Sequence, residues 1–301
     1  MIREMLNELL SKSPMLRFNA RWLADTLTRD IPWQFEKKPL LRKASLLAPE
    51  ITTLDVSKRD GILIFHDKGN TLVQRGDAYE PEVQHALMVL IGLDRIRGNR
   101  TIFGDIGANI GLHTFYVKSR YKDIPVVAFD PSPSSWQYLD LSVLFNRLSG
   151  IQVEKIALSD RSGLIDFYTW GDESSADSLR NTLRVRGRAP KVISVQMSRL
   201  DDMAEIPPLT VMKMDCEGAE LSALRGARET IRKNRPLLLV EFYKKNREVF
   251  HVTTQDIFSF LADMQYSLYS LDFERLDAAA FDACQETTED SYLLLPDDLC
   301  S

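Results

Sequence analysis

The chain has 301 residues, 44% of them hydrophobic and 27% charged, values that exclude a disordered polymer and a membrane-embedded bundle. A formal net charge of −5 argues against nucleic acid as the main partner, because holding a phosphate backbone needs clustered Lys and Arg. The cysteines Cys216, Cys284 and Cys300 form no CxxC pair and no Cys/His cluster at ligand spacing, so neither disulfides nor structural zinc is indicated.

The opening residues MIREMLNELLSKSP carry Glu4 and Glu8 among their leucines and so lack the apolar core of a signal peptide. No long apolar run follows, and the reading is a soluble, cytoplasmic protein without integral membrane association. Residues 1–30 place Leu6, Leu9, Leu10, Phe18, Trp22 and Leu23 at helical spacing, before a stretch interrupted by Pro32, Pro39 and Pro49. The short basic run KKPLLRK at 37–43 reads as a solvated face. GILIFHDKGNTLVQRG, from Gly61, reads as two short strands around an Asp-Lys-Gly-Asn turn. Residues 1–75 are thus expected to form an N-terminal extension of helices and a short hairpin, and 76–301 a single α/β domain. EPEVQHALMVLIGLDRI then fits an amphipathic helix from about Pro81 to Arg97.

From residue 101 the chain alternates. Short apolar runs at 101–106, 125–130, 151–157, 209–214 and 237–243 are separated by helix-length segments at 110–120, 133–148 and 217–233, the pattern of a parallel sheet buried on both faces. Two more runs, Tyr266 to Leu271 and Ser291 to Leu295, follow a helix expected at 254–264 and are suited to complete the sheet, the last as an antiparallel partner. The polar stretch WGDESSADSLRNTLRVRGRAP is too long for a minimal connection, and its Trp170, Ser174, Ser175 and the run to Arg188 are candidates for a lid or acceptor site.

FGDIGANIGLHT, residues 103–114, ends a strand in a tight turn and opens a helix at once. Glycines let the backbone approach a ligand, and the helix start favours negative charge. Counted from Gly107, the remaining positions of a G-x-G-x-x-G fingerprint hold Asn109 and Leu112, which weighs against NAD. The next strand, IPVVAFDP, ends in Asp130, placed either to accept hydrogen bonds from both hydroxyls of a ribose or to cap the following helix. In LTVMKMDCEGAELSALRG an apolar strand leads to Asp215, with Glu217 and Glu220 three residues apart after it. They read either as helix-start chemistry, with Gly226 as the stop, or as acids converging on the sheet edge that bears Asp105 and Asp130.

Taken together, DIGANIGLHT, AFDPSP, Asn146, KIALSDRSG and MKMDCEGAELSALRG resemble the successive motifs of the FkbM family of S-adenosylmethionine-dependent methyltransferases, over about residues 76–243 with GDAYEPEV at 76–83 as its leading segment. Where the family usually has Glu, this chain has Asp130. The resemblance implies a class I methyltransferase (Rossmann-like) fold, a mostly parallel seven-stranded sheet with helices on both faces. It implies S-adenosyl-L-methionine as cofactor, with Asp105, Gly107, Asn109 and Gly111 around its methionine end, Asp130 at the ribose, and Ser159 and Asp160 at the adenine. Asp160 is equally a turn former. Glu80 either meets the cofactor's amino group or only starts the helix at Pro81.

Methyl transfer from a sulfonium to a hydroxyl requires alignment, exclusion of water and removal of a proton. Candidates are Asp215, Glu217 and Glu241, with His113 and His251 as lesser alternatives. Lys213 either orients the acceptor or forms a plain salt bridge, and Glu220 is read as structural. No metal is expected, although three acids could hold Mg²⁺. The substrate class, a hydroxyl on a sugar, glycan or secondary metabolite, comes from the resemblance alone. A cofactor-binding protein without turnover and a nicotinamide-dependent oxidoreductase remain the alternatives.

Overall fold

The computed structural model describes residues 51–55, 62–67, 80–169, 177–180, 189–287 and 290–299. The N-terminal helices read from residues 1–30, the strand expected after the turn at 67–70, and Trp170, Ser174, Ser175 and Arg188 lie outside them.

A central sheet takes in β3 (Phe103–Ile106), β4 (Val126–Phe129), β5 (Ile151–Glu154), β9 (Val211–Met214), β10 (Leu237–Glu241), β11 (Tyr266–Tyr269), β12 (Arg275–Leu276) and β13 (Ser291–Pro296). Its strand order is β12-β11-β13-β10-β9-β3-β4-β5. The run β10-β9-β3-β4-β5 is parallel, whereas β13 is antiparallel to both β10 and β11, and β12 is antiparallel to β11. The sheet is therefore mixed and eight-stranded, a correction to the expected seven mostly parallel strands. The extra member is the two-residue edge strand β12, too short to leave a hydrophobic pattern.

β3, β4 and β9 are buried at every position, as strands covered on both faces must be. Helix α1 (Pro81–Ile96) begins with proline in its first turn and lays Ala86, Leu87, Leu90 and Ile91 over Phe103, Val126, Val211 and Leu239 on one face. On the other face α4 (Glu220–Gly226), α5 (Arg228–Asn234) and α7 (Thr254–Met264) bring Leu224, Ile231 and Phe260 against Met212, Met214 and Val240. Each such fully buried side chain contributes roughly 1.5–3 kcal/mol relative to exposure.

The helix expected over 217–233 is two helices, α4 and α5, joined at Ala227. Gly226 ends the first and also permits close packing, since a Cβ there would lie 1.8 Å from the Ser159 carbonyl oxygen. The third expected strand, 151–157, breaks into β5 and β6 (Ala157–Leu158). Strand β6 joins a second, three-stranded sheet with β7 (Gly163–Thr169) and β8 (Lys191–Ser198) in the order β6-β8-β7. The sequence reading did not anticipate this sheet. Further upstream, β1 (Ile51–Asp55) pairs antiparallel with β2 (Leu63–Asp67), so the described partner of β2 precedes it in the chain. Phe65 N–H donates to Ser142 Oγ at 2.8 Å on α3 (Pro133–Phe145), fixing β2 against that helix.

Candidate active site

The turn after β3 is built on close backbone approach. Gly107 has φ +76°, and a Cβ there would sit 1.7 Å from the Asp215 carbonyl oxygen, so only glycine lets the β3 and β9 loops touch. Asp105 is fully buried opposite Lys213 in the parallel β3/β9 register. Its Oδ2 accepts from Thr114 Oγ1 at 2.6 Å, on helix α2 (Leu112–Arg120), while its buried Oδ1 has no hydrogen-bond partner among the described residues. Gly111, at φ +89°, starts α2, and a Cβ there would meet the Phe115 ring at 2.7 Å. Asp130, at the tip of β4, accepts from the Asn109 N–H at 2.7 Å and the Ser132 N–H at 2.8 Å. Burial pushes its carboxyl up to about 7 in spite of these two bonds, with Asp177 and Asp105 adding to the rise.

The turn opens on a cavity of about 290 Å³ at the carboxyl ends of β3, β4, β9 and β10, where open α/β sheets bind ligands. Glu80, Gly107, Asn109 and Asp130 line it, as do Lys213, Asp215, Glu217 and Glu241. Asp105 and Gly111 do not line it but hold the turn from outside. Ser159 and Asp160 do not line it either; Ile156, Ala157 and Leu158, just before them, do. Buried His113 lies 3.1 Å from Glu80, Nε2 to Oε2, and reaches the cavity. His251 is exposed and caps α6 (Lys244–Phe250) at φ 58°, away from the cavity lining.

Three acids converge around one ammonium. Lys213 Nζ donates to Asp215 Oδ2 at 2.8 Å. Burial alone would lower the Lys213 ammonium, yet Asp215, Glu80 and Asp105 together hold it well above its ordinary value. Glu217 takes a left-handed φ of 52°, and its Oε2 accepts from Asn246 Nδ2 at 2.8 Å. Burial pushes Glu217 and Glu241 well up, with neighbouring Asp215 raising both further. Glu220 is structural: its Oε1 accepts from the N–H of Cys216 at 2.7 Å and of Gly218 at 3.0 Å, tying the turn before α4. Oxygens of Asp215, Glu220 and Glu241 lie within 4.8 Å of one another, a spacing that suits a cation, but those bonds and the Lys213 ammonium already engage Glu220 and Asp215.

Sequence reasoning missed two members of this site, Asn246 on α6 and the cavity-lining Asp177. The available signal for Asp177 was the long polar stretch around it. Among the described residues no helix is long and apolar enough to cross a membrane.

An open α/β sheet with a glycine turn after its central strand and an acid at the tip of the next is the architecture of a nucleotide-cofactor-binding domain. Residues 105–268 match the methyltransferase FkbM domain, and the chain belongs to that family, with its class I methyltransferase-like fold. Among curated relatives, Methyltransferase 1 of Beauveria bassiana is 29% identical over 40% of this chain and 56% of its own. The hexuronic acid methyltransferase AglP of Haloferax volcanii is 29% identical over 42% of this chain and 49% of its own. The 2-O-methyltransferase NoeI of Sinorhizobium fredii is 29% identical over 44% of this chain and 59% of its own. The chain thus spans about half the length of the curated relatives it matches. A solved FkbM methyltransferase from Methylobacillus flagellatus aligns over 65% of this chain and 43% of that one, at 20% identity and a TM-score of 0.42.

Proposed function

We propose that this methyltransferase uses S-adenosyl-L-methionine and methylates a hydroxyl of a sugar, glycan or secondary metabolite, with residues 76–301 forming the catalytic domain and 1–75 an extension. The observation that carries the reading is the convergence of Lys213, Asp215, Glu217 and Glu241 on the same cavity as the glycine turn and Asp130. The close approach at Gly107, which a Cβ would block, fits a cradle for the cofactor. The printed names of AglP and NoeI favour a sugar hydroxyl as acceptor.

When bound, S-adenosyl-L-methionine supplies a methyl group activated by a sulfonium. Gly107 and Asn109 would hold its methionine end, Glu80 its ammonium and Asp130 its ribose diol. Asp105 and Gly111 shape that turn, and Ser159 and Asp160 place the apolar Ile156–Leu158 wall beside the base. Glu241, whose carboxylate lies within 4.8 Å of that of Asp215, takes the proton of the acceptor hydroxyl, and Lys213, paired with Asp215, offsets the charge that remains. Glu217, held by Asn246, orients the acceptor. Calorimetric titration with S-adenosyl-L-methionine, beside NADH, tests the reading: saturable binding of the first, lost in Asp130→Ala, is expected, followed by methyl transfer to a panel of glycosides. Binding of NADH alone, or of neither, overturns it.

A further inference from the structure

The second sheet delivers one more acid to the cavity. Asp177 follows β7 at a distance in sequence but is pinned beside it, because Ser178 and Tyr168 exchange two backbone hydrogen bonds of 2.8 and 3.0 Å. Ser178 Oγ also donates to the Glu217 carbonyl at 3.0 Å, and Arg180 donates to the Val249 carbonyl at 2.9 Å. The segment is thus anchored to the acidic motif as well as to β7. Asp177 is only 8% exposed, yet it lines the cavity.

Its Oδ2 accepts from Ser132 Oγ at 2.7 Å, Thr169 Oγ1 at 2.9 Å and Ser134 Oγ at 3.4 Å. The same Ser132 donates its N–H to Asp130, so one serine links two buried carboxylates in one wall. Burying two acids together costs desolvation and repulsion that neutral hydroxyls offset only in part. A ligand bringing several O–H and N–H donors relieves it. The same cavity is also lined by apolar Ile156, Leu158, Phe167 and Leu179, the last two lying two residues from Thr169 and Asp177 respectively. An apolar slot with a carboxylate at its edge, next to a carboxylate suited to a diol, matches an aminopurine nucleoside.

Resting on the proposed use of S-adenosyl-L-methionine, we infer that Asp177 is a cofactor-binding residue that accepts a hydrogen bond from the exocyclic amino group of the base while Asp130 holds the ribose. The second sheet therefore serves to deliver the base-reading acid.

The test is calorimetry with S-adenosylhomocysteine and with S-inosylhomocysteine, in which a carbonyl replaces the amino group. The wild-type chain is expected to prefer the adenosyl form by about tenfold to a hundredfold, the range of a hydrogen bond to a charged group. Asp177→Asn keeps an oxygen for the three hydroxyls and offers an N–H to the inosyl carbonyl, so the preference should collapse or reverse while the folded fraction stays unchanged by circular dichroism. Asp177→Ala should weaken adenosyl binding. Equal wild-type affinity for the two ligands, or an unchanged preference in Asp177→Asn, overturns the inference alone, provided Asp130→Ala still loses binding. No wild-type binding of either ligand overturns the cofactor reading with it.

Discussion

Lys213 and Asp215, two residues apart at the end of β9, form a 2.8 Å ion pair in which the lysine is 4% exposed and the aspartate side chain 20%. Alternation along a strand points both side chains the same way, so the pair follows from the KxD spacing itself. Removing the ammonium leaves Asp215, Glu80 and Asp105 facing one another without it. Lys213→Met is expected to destabilise the protein by roughly 3–5 kcal/mol, the cost of breaking a buried pair from one side. Urea unfolding at pH 7 measures it, and a loss below about 1 kcal/mol would mean the pair is effectively solvated.

Two glycines should respond in opposite directions to alanine. At Gly107 a methyl meets the Asp215 carbonyl at 1.7 Å with φ +76°, so Gly107→Ala combines a left-handed alanine with a backbone clash. The expected cost is about 2–6 kcal/mol. At Gly92, inside α1, a Cβ meets no atom of the described residues within 4 Å. Gly92→Ala should stabilise by about 0.5–1 kcal/mol through helix propensity alone. Thermal melts of the two variants beside wild type decide both.

The glycine turn, Asp130 and the acid motif were legible in the sequence because each sits where one strand ends and a helix begins, a local event that residue order records. Asp177 was not, because its place depends on β7 and β8 pairing across a long polar stretch, from Gly163↔Met197 to Thr169↔Lys191. Gly226 was read as a helix stop, which it is, but the carbonyl of Ser159 packed against it belongs to a distant segment. Ile156, Ala157 and Leu158, rather than Ser159 itself, line the cavity. Local signals located the site, and long-range pairing decided which residues reach it.

Stability of the ligand-free protein should fall as pH rises toward neutrality. Burial pushes Asp130 and Glu220 up to about 7 from ordinary values near 4. Between those values the folded state binds more protons than the unfolded one, so unfolding free energy decreases with pH, and the benefit is fully present only below the unfolded pKa. Melting temperature measured from pH 5 to 8 should therefore decline, and Asp130→Asn should flatten the decline. Ligand hydroxyls favour the ionised form of Asp130, so cofactor affinity should strengthen through pH 7 and its binding should release protons, as titrations in buffers of different ionisation enthalpy would reveal.

Glu241→Gln separates binding from proton removal. The substitution keeps the shape of the side chain at the end of β10 and removes the carboxylate that burial and Asp215 hold well above its ordinary range. Because Glu241 ends β10, which β9 and β3 separate from β4 and its Asp130, cofactor affinity should change by less than about twofold, while kcat should drop by roughly 10²–10⁴, the span of a general base. The variant should also melt higher than wild type, by more at pH 8 than at pH 5, since a carboxylate raised by burial costs stability as pH climbs and an amide does not. A lower kcat with a lower melting temperature would instead mark Glu241 as a structural acid and shift the base to Glu217, whose Asn246 contact can then be removed in the same assay.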